Sequence, residues 1–235
     1  MKAFLLAAGH GTRLRPYTDQ IPKCLLPIQG VPMLEIWLSL CRRYGISEVL
    51  VNTHAHSRAV IDFVKKWGDG VRVTVKEEPE LFGSAGTLRV NRDWLGADDK
   101  FWVFYADVLT NLDLHAMLES HLAKFAATLG VYSVPDPQRC GVISFDQQHV
   151  VTGFVEKPAV PKSNWAFAGI MIGTMELLEA IPDKPAADIG FDVLPRLTGR
   201  MRAYTIPEFV MDIGTLENYE AAQKKWAALT NGVAG

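Results

Sequence analysis

Residues 5–16 read LLAAGHGTRLRP and run straight into YTDQIPKCLLPI. An apolar strand that empties into Ala7-Ala8-Gly9-His10-Gly11-Thr12 offers backbone N–H groups with no bulky side chains in front of them. Glycine allows the positive φ and close approach that a phosphate cradle needs. The first 25 residues carry Lys2, Arg13, Arg15 and Lys23 against a single acid, Asp19. That local excess of positive charge suits a triphosphate. Two better-known glycine loops do not fit. A GxGxxG loop needs glycine where Leu14 stands, and a P-loop needs Gly-Lys-Ser/Thr after four spacers. A plain strand-to-helix turn with surface cations is the alternative that spacing alone leaves open.

Such a loop must sit at the carboxyl end of a strand in an open α/β sheet. Short β-branched and aromatic runs alternate with helical patterns through the first half: strands at 2–7, 48–52, 71–75 and 101–105, and helices from Pro32 to Gly45 and over 59–67. An amphipathic helix is expected over 112–125. Strands at 128–134, 141–145, 150–155 and 167–172 then follow with short turns, so the sheet becomes mixed. A closing helix is N-capped by Thr215, with Glu217 and Glu220 early and Lys224 and Lys225 late. The expected fold is α/β: a Rossmann-like three-layer arrangement around a mixed, mainly parallel central sheet, with a small β-rich insertion. One domain over 1–235 is expected, in two parts over about 1–110 and about 111–235.

Composition narrows the class. Lys plus Arg (24) against Asp plus Glu (26) in 235 residues gives a net charge of −2, which argues against nucleic acid or a membrane surface as partner. Three cysteines, Cys24, Cys41 and Cys140, lack metal-ligand spacing and are too few for a disulfide framework, as suits a reducing, cytoplasmic setting. No apolar run is long enough to span a bilayer. The opening MKAFLLAAG is too short for a secretory signal, and Arg13 and Arg15 stand where cleavage would fall. His54-Ala55-His56 has no acid or thiol spaced to complete a metal site, and reads as a polar loop end.

Residues 5–34 resemble the signature of the nucleoside-diphosphate-sugar pyrophosphorylases, the sugar-1-phosphate nucleotidyltransferases: LAAGxGTRLxPxTxxxPKxLxPIxGxPxL. Leu6 to Gly9, Gly11 to Leu14, Pro16, Thr18, Pro22-Lys23, Leu25, Pro27-Ile28, Gly30, Pro32 and Leu34 fall in register, with weaker echoes as far as Tyr219. The resemblance implies a nucleoside triphosphate and a sugar 1-phosphate as substrates, with Mg²⁺ as cofactor. It lays Leu6, Ala8 and Gly9 along base and ribose, and Gly11, Thr12 and Arg13 on the β- and γ-phosphates. It sends Lys23 to the α-phosphate. Asp107, ending an apolar strand after Ala106 where the family has glycine, and Asp212 in VMDIGTLENY match its magnesium carboxylates. Glu156-Lys157-Pro158 matches the family's EKP, which meets sugar hydroxyls and sugar phosphate. Gly141 and Gly169 match glycines whose backbones approach the sugar, with Ala168 where asparagine is frequent.

The segment Glu77 to Thr87 aligns with the base-reading loop, with Glu78 and Gly83 its contact positions. Relatives that take thymidine or uridine nucleotides carry Gln near Glu78. A carboxylate accepts only, which suits the adjacent N–H donors of guanine. EEP followed by GSAG is similar to the mannose- and heptose-phosphate guanylyltransferases, short single-domain members of the family, so GTP is favoured over UTP, dTTP and CTP. The alternatives are a uridylyl- or thymidylyltransferase of this family, a cytidylyltransferase, a catalytically silent regulatory module, and a dinucleotide oxidoreductase that Leu14 disfavours. The sequence closes soon after its final helix, which leaves no room for the C-terminal β-helix or acyltransferase domain of longer relatives. Monomer and dimer both stay open.

Overall fold

The structure is a computed structural model that describes residues 1–68 and 70–231. It opens with β1 (Ala3–Leu6), whose alternate side chains face opposite ways: Ala3 and Leu5 enter one hydrophobic core, Phe4 the other. A strand covered on both faces has no polar side, which is why it reads as one apolar run. The chain then winds through three tight turns (Thr12–Leu14, Tyr17–Asp19, Lys23–Leu25) and a hairpin of β2 (Pro27–Ile28) and β3 (Val31–Pro32) into α1 (Met33–Arg43). Next come β4 (Glu48–Thr53), α2 (Ser57–Lys66), β5 (Arg72–Glu77), α3 (Gly83–Val90), β6 (Lys100–Tyr105), β7 (Val108–Thr110) and α4 (Leu114–Ser120). The rest comprises β8 (Ala127–Ser133), β9 (Gly141–Phe145), β10 (Val151–Glu156), β11 (Trp165–Thr174), α5 (Met175–Glu179), a π-helical turn (Ile189–Val193), β12 (Met201–Thr205), β13 (Val210–Asp212) and α6 (Leu216–Asn231).

Nine strands form the central sheet, ordered β10-β9-β11-β6-β1-β4-β5, with β8 on β11 and β12 on β8. The β6-β1-β4-β5 half is parallel, and β11 enters antiparallel against β6. The expected mixed sheet is therefore present, and the β-rich second half extends it. One core lies under α1, α2, α4 and α6 and contains Trp37, Phe104, Met117 and Tyr219; the other lies under α3 and α5 and contains Leu88, Phe101 and Leu177. Three layers result, with the carboxyl ends of β1, β4 and β6 at one edge.

The helix expected over 112–125 covers only Leu114–Ser120. The Asp113 carboxylate caps it by accepting from the N–H groups of His115 and Ala116. It ends where His121 turns extended and its ring meets Thr128 Oγ1 at 2.9 Å. The apolar spacing beyond serves a turn that buries Phe125. The closing helix begins as expected, with Asn218 N–H donating to Thr215 Oγ1. Tyr219 and Gln223 of that helix both donate to the carbonyl of Pro27, tying it to the hairpin after Lys23.

Candidate functional site

Leu6 ends β1, and the chain leaves the sheet as a loop that turns back at Gly11. There φ is +63°, and a Cβ would lie 2.9 Å from the methyl of Thr18, so glycine is required. Buried Thr18 also donates to the Gly11 carbonyl at 2.8 Å, holding the turn shut from below. Leu14 points the other way, fully buried, and anchors the loop to the core. Its place in the signature is a packing requirement, one that a GxGxxG loop does not share. Among the described residues, the N–H groups of Gly11, Thr12 and Arg13 donate to no protein acceptor. Three such donors converging in one tight turn form a site for an anion.

This loop forms one wall of a cavity of about 480 Å³. Leu6, Ala8, Gly9, Gly11, Thr12 and Arg13 line it, together with Lys23, Asp107, Glu78 and Gly83, so every residue assigned to the nucleotide from sequence meets here. Asp107 follows β6, and β13 pairs antiparallel with β7 so that Asp212 stands opposite Val108. The Ile213 N–H donates to the Asp107 carbonyl at 2.9 Å, which ties the backbones at the two aspartates together. Lys23 Nζ forms an ion pair with Asp107 Oδ2. Burial first, and then Asp107, push the Asp212 carboxyl above its ordinary range, while Lys23 and Arg13 pull it back.

Gly214 sits at the centre of these groups. A Cβ there would fall 2.6 Å from Asp212 Oδ1, 3.1 Å from Lys23 Nζ and 3.2 Å from Arg13 Nη2. Two cations and a carboxylate thus crowd one bare backbone position. Sequence reading passed over Gly214, although it lies two residues beyond Asp212 in the same DIGT run.

Two hard carboxylate oxygens beside an anion loop suit a cation that keeps water and borrows phosphate oxygens for the rest of its shell. No group of three or more His, Cys, Asp or Glu side chains among the described residues could hold a metal alone. The His54 ring is engaged at Nδ1 with the Glu78 carbonyl, 2.8 Å away. Cys24 lines the cavity, but burial pushes its thiol up to about 12, so it supplies no thiolate nucleophile at neutral pH.

Glu78 is buried, with 3% exposure. Its Oε1 accepts from Asn52 Nδ2 at 2.9 Å and Thr87 Oγ1 at 2.5 Å, and its Oε2 from the Phe82 N–H at 3.3 Å. Asn52, on β4, was missed from sequence because a single Asn in a β-branched run carries no spacing signal. Gly83 has φ +76°, and a Cβ would strike the Ala187 carbonyl oxygen at 2.4 Å. That carbonyl also accepts the N–H groups of Ala85 and Gly86, so these helix-start donors serve the fold rather than a ligand.

The sugar-side residues of the sequence reading lie apart from this cavity's lining, around the turn that follows Ala187. Gly141 and Glu156 are cross-strand partners on β9 and β10. The Glu156 carboxylate fits against two bare backbones: a Cβ would lie 2.7 Å from it at Gly141 and 2.4 Å from it at Gly190. Lys157, at φ +49°, pairs with Glu156 at 3.8 Å and lies 5.6 Å from the ring of Phe191. Gly169 has φ +69° and gives way to the ring of Tyr105, which forms cavity wall. Burial, with Asp188 adding, raises the Tyr105 hydroxyl well above its usual range, so it stays a neutral donor. Ser84 Oγ links the two sides, donating to Asp188 Oδ2 and accepting the Ile189 N–H, each at 2.8 Å. Tyr105, Asp188 and Gly190 were missed, and Ser84 stood only within the base-reading segment, since folding alone brings these residues toward the sugar side.

The site combines an anion loop at the end of the first strand with two carboxylates at the mouth of a mixed α/β sheet. The family profile described as "Nucleotidyl transferase" matches residues 2–228, and the chain belongs to that family. It is similar to a probable mannose-1-phosphate guanylyltransferase of Oryza sativa subsp. japonica, with 33% identity over 93% of this chain and 63% of the relative. The chain thus spans less than two thirds of the length of the curated relatives it matches first. Among solved structures, a putative glucose-1-phosphate thymidylyltransferase from Bacillus anthracis, in complex with a sucrose, superposes with a TM-score of 0.84 at 25% identity, covering 95% of this chain and 94% of that one. HddC from Yersinia pseudotuberculosis, complexed with GMP-PN, gives 0.81 at 26% identity, covering 96% and 99%.

Proposed function

We propose that this protein is a sugar-1-phosphate nucleotidyltransferase that takes GTP. The observation that carries the reading is that Gly11, Thr12 and Arg13, whose amides meet no protein acceptor among the described residues, line one cavity with Lys23, Asp107 and Gly214, with Asp212 beside Gly214. An oxygen of the sugar 1-phosphate attacks the α-phosphorus in line. A new P–O bond forms, the bond to the β-phosphate oxygen breaks, and pyrophosphate leaves with the electron pair. The attacking monoester has a second pKa near about 6 and is already ionised at neutral pH, so no general base is needed. Catalysis therefore rests on position and charge.

The loop amides and the Arg13 guanidinium hold the departing phosphates, where a bidentate, permanently charged donor is best used. Lys23, which pairs with Asp107, brings its charge to the α-phosphate. Asp107 and Asp212 would hold Mg²⁺, which would supply further charge neutralisation at the phosphates. Glu156, cradled by Gly141 and Gly190, accepts from sugar hydroxyls, and Lys157 meets the sugar phosphate.

Glu78 is the base-facing group in this reading: a carboxylate has about four acceptor sites, the protein fills three of them, and Oε2 keeps one site for a base N–H at the cavity. One such site accepts an N–H of guanine or of a pyrimidine alike, and the choice of guanine is supported by the mannose-1-phosphate guanylyltransferase likeness. A uridylyl- or thymidylyltransferase is the second reading, favoured by the thymidylyltransferase likeness. A pyrophosphate-release panel crossing four nucleoside triphosphates with hexose, heptose and amino-sugar 1-phosphates tests both. GTP turnover well above the others, dependent on Mg²⁺, is the expected result. Turnover with UTP or dTTP but not GTP refutes the guanine assignment, and no turnover with any pair refutes the enzyme.

A further inference from the structure

We propose that Asn52 is a positioning residue that sets base selectivity, by joining the phosphate loop to the Glu78 carboxylate through one carboxamide. This rests on the reading of Glu78 as the base-facing group. Asn52, on β4, is buried with 4% exposure and lines the nucleotide cavity together with Ala7 and Glu78. Its Oδ1 accepts from the Ala7 N–H at 2.7 Å, and its Nδ2 donates to Glu78 Oε1 at 2.9 Å and Thr87 Oγ1 at 3.0 Å.

The proton directions follow from a single group. A backbone N–H can only donate, so the carboxamide oxygen must face Ala7 and the NH₂ must face Glu78. Thr87 Oγ1 receives from Asn52, and its own proton has two acceptors in reach, Glu78 Oε1 at 2.5 Å and the Gly83 carbonyl at 3.1 Å, of which the carboxylate is the nearer. One carboxylate oxygen is thereby met by two donors, and the other keeps acceptor capacity for a ligand. Networks of this kind polarise one another and hold a unique geometry. No cation pairs with Glu78 among the described residues. The buried carboxylate depends on these neutral donors for its orientation. The same carboxamide ties Ala7, so the base-reading oxygen and the start of the phosphate loop keep one fixed separation.

Asn52→Asp tests this. It keeps an acceptor for Ala7 but turns an oxygen, not an NH₂, toward Glu78. The KM of the preferred nucleoside triphosphate should rise about tenfold or more, the loss typical of a hydrogen bond to a buried charge. The preference for that nucleotide over the next best should fall in proportion, with the KM of the sugar 1-phosphate moving less than about twofold. Thr87→Val should act in the same direction, and Thr87→Ser, which keeps the hydroxyl, should restore the preference. These two decide the matter if Asn52→Asp does not fold. An unchanged preference in folded Asn52→Asp or Thr87→Val, or an equal loss for all four nucleotides, overturns the proposal. If the wild type prefers a base other than guanine, the GTP assignment fails on its own. The role of Asn52 is then judged by whether the variants lose that other preference.

Discussion

Arg13 and Lys23 differ in what holds them. Lys23 is held by Asp107, whereas Arg13 stands beside Gly214 with no direct ion pair among the described residues. Both cations face the phosphates in the proposed transfer, so Arg13→Ala and Lys23→Ala should each raise the barrier by at least about 2 kcal/mol, as removal of one preorganised charge donor does. Initial rates of pyrophosphate release measure this directly, and near-normal turnover in either variant contradicts the assignment. Glu156 makes a different prediction. Burial raises its carboxyl above the ordinary range, Lys157 offsets part of this, and Asp188 adds to it. A glutamate whose folded pKa exceeds its unfolded one binds more protons when folded, so stability falls as pH rises through that window. At neutral pH the ionised Glu156 is therefore a burden on the fold. Glu156→Gln should raise the unfolding temperature at pH 7, with the gain vanishing below about pH 4, where the group is protonated in both states. Saturation with sugar 1-phosphate should weaken in the same variant, the usual exchange of stability for function.

At the scale of elements, the contact between the start of α3 and the segment at Ala187 joins the nucleotide side to the sugar side. The Ala187 carbonyl takes two helix-start N–H groups, its own N–H donates to the Phe82 carbonyl at 2.9 Å, and Ser84 bonds Asp188 and Ile189. Gly83 has both a positive φ and a backbone oxygen where its Cβ would go. Gly83→Ala should lower stability by about 1–3 kcal/mol, the usual cost of such backbone strain. In a chain of this length that is several degrees in unfolding temperature. A thermal melt within a degree of wild type would show that the segments can part without cost. The reason for this glycine was not legible in the sequence, because its obstacle lies about a hundred residues away.

For the whole molecule, the central sheet runs without interruption from β5 to β10, and each core draws on both halves of the chain. Strand β11 bridges them, pairing with β6 on one side and β8 on the other. The nucleotide-binding and sugar-binding parts should therefore unfold as one unit. Calorimetry should give a single transition with matching calorimetric and van't Hoff enthalpies. Two resolved transitions would divide the chain into two domains.

Local chemistry explains what could be read without coordinates. The apolar run of β1, the Gly9-Gly11 turn, the cations at 13 and 23 and the alternation of strands and helices are encoded within short stretches, where residue type and period suffice. Membership of the signature then carried Asp107, Asp212, Glu78 and Glu156 as separate points along the chain. Only tertiary structure set them against one another: β13 on β7 to align the two aspartates, Gly214 between the charges, Gly190 against Glu156, and Asn52 between Ala7 and Glu78. Those relations depend on distances between residues far apart in sequence, fixed by packing and by the need to satisfy each buried polar group. No period or motif along the chain encodes them.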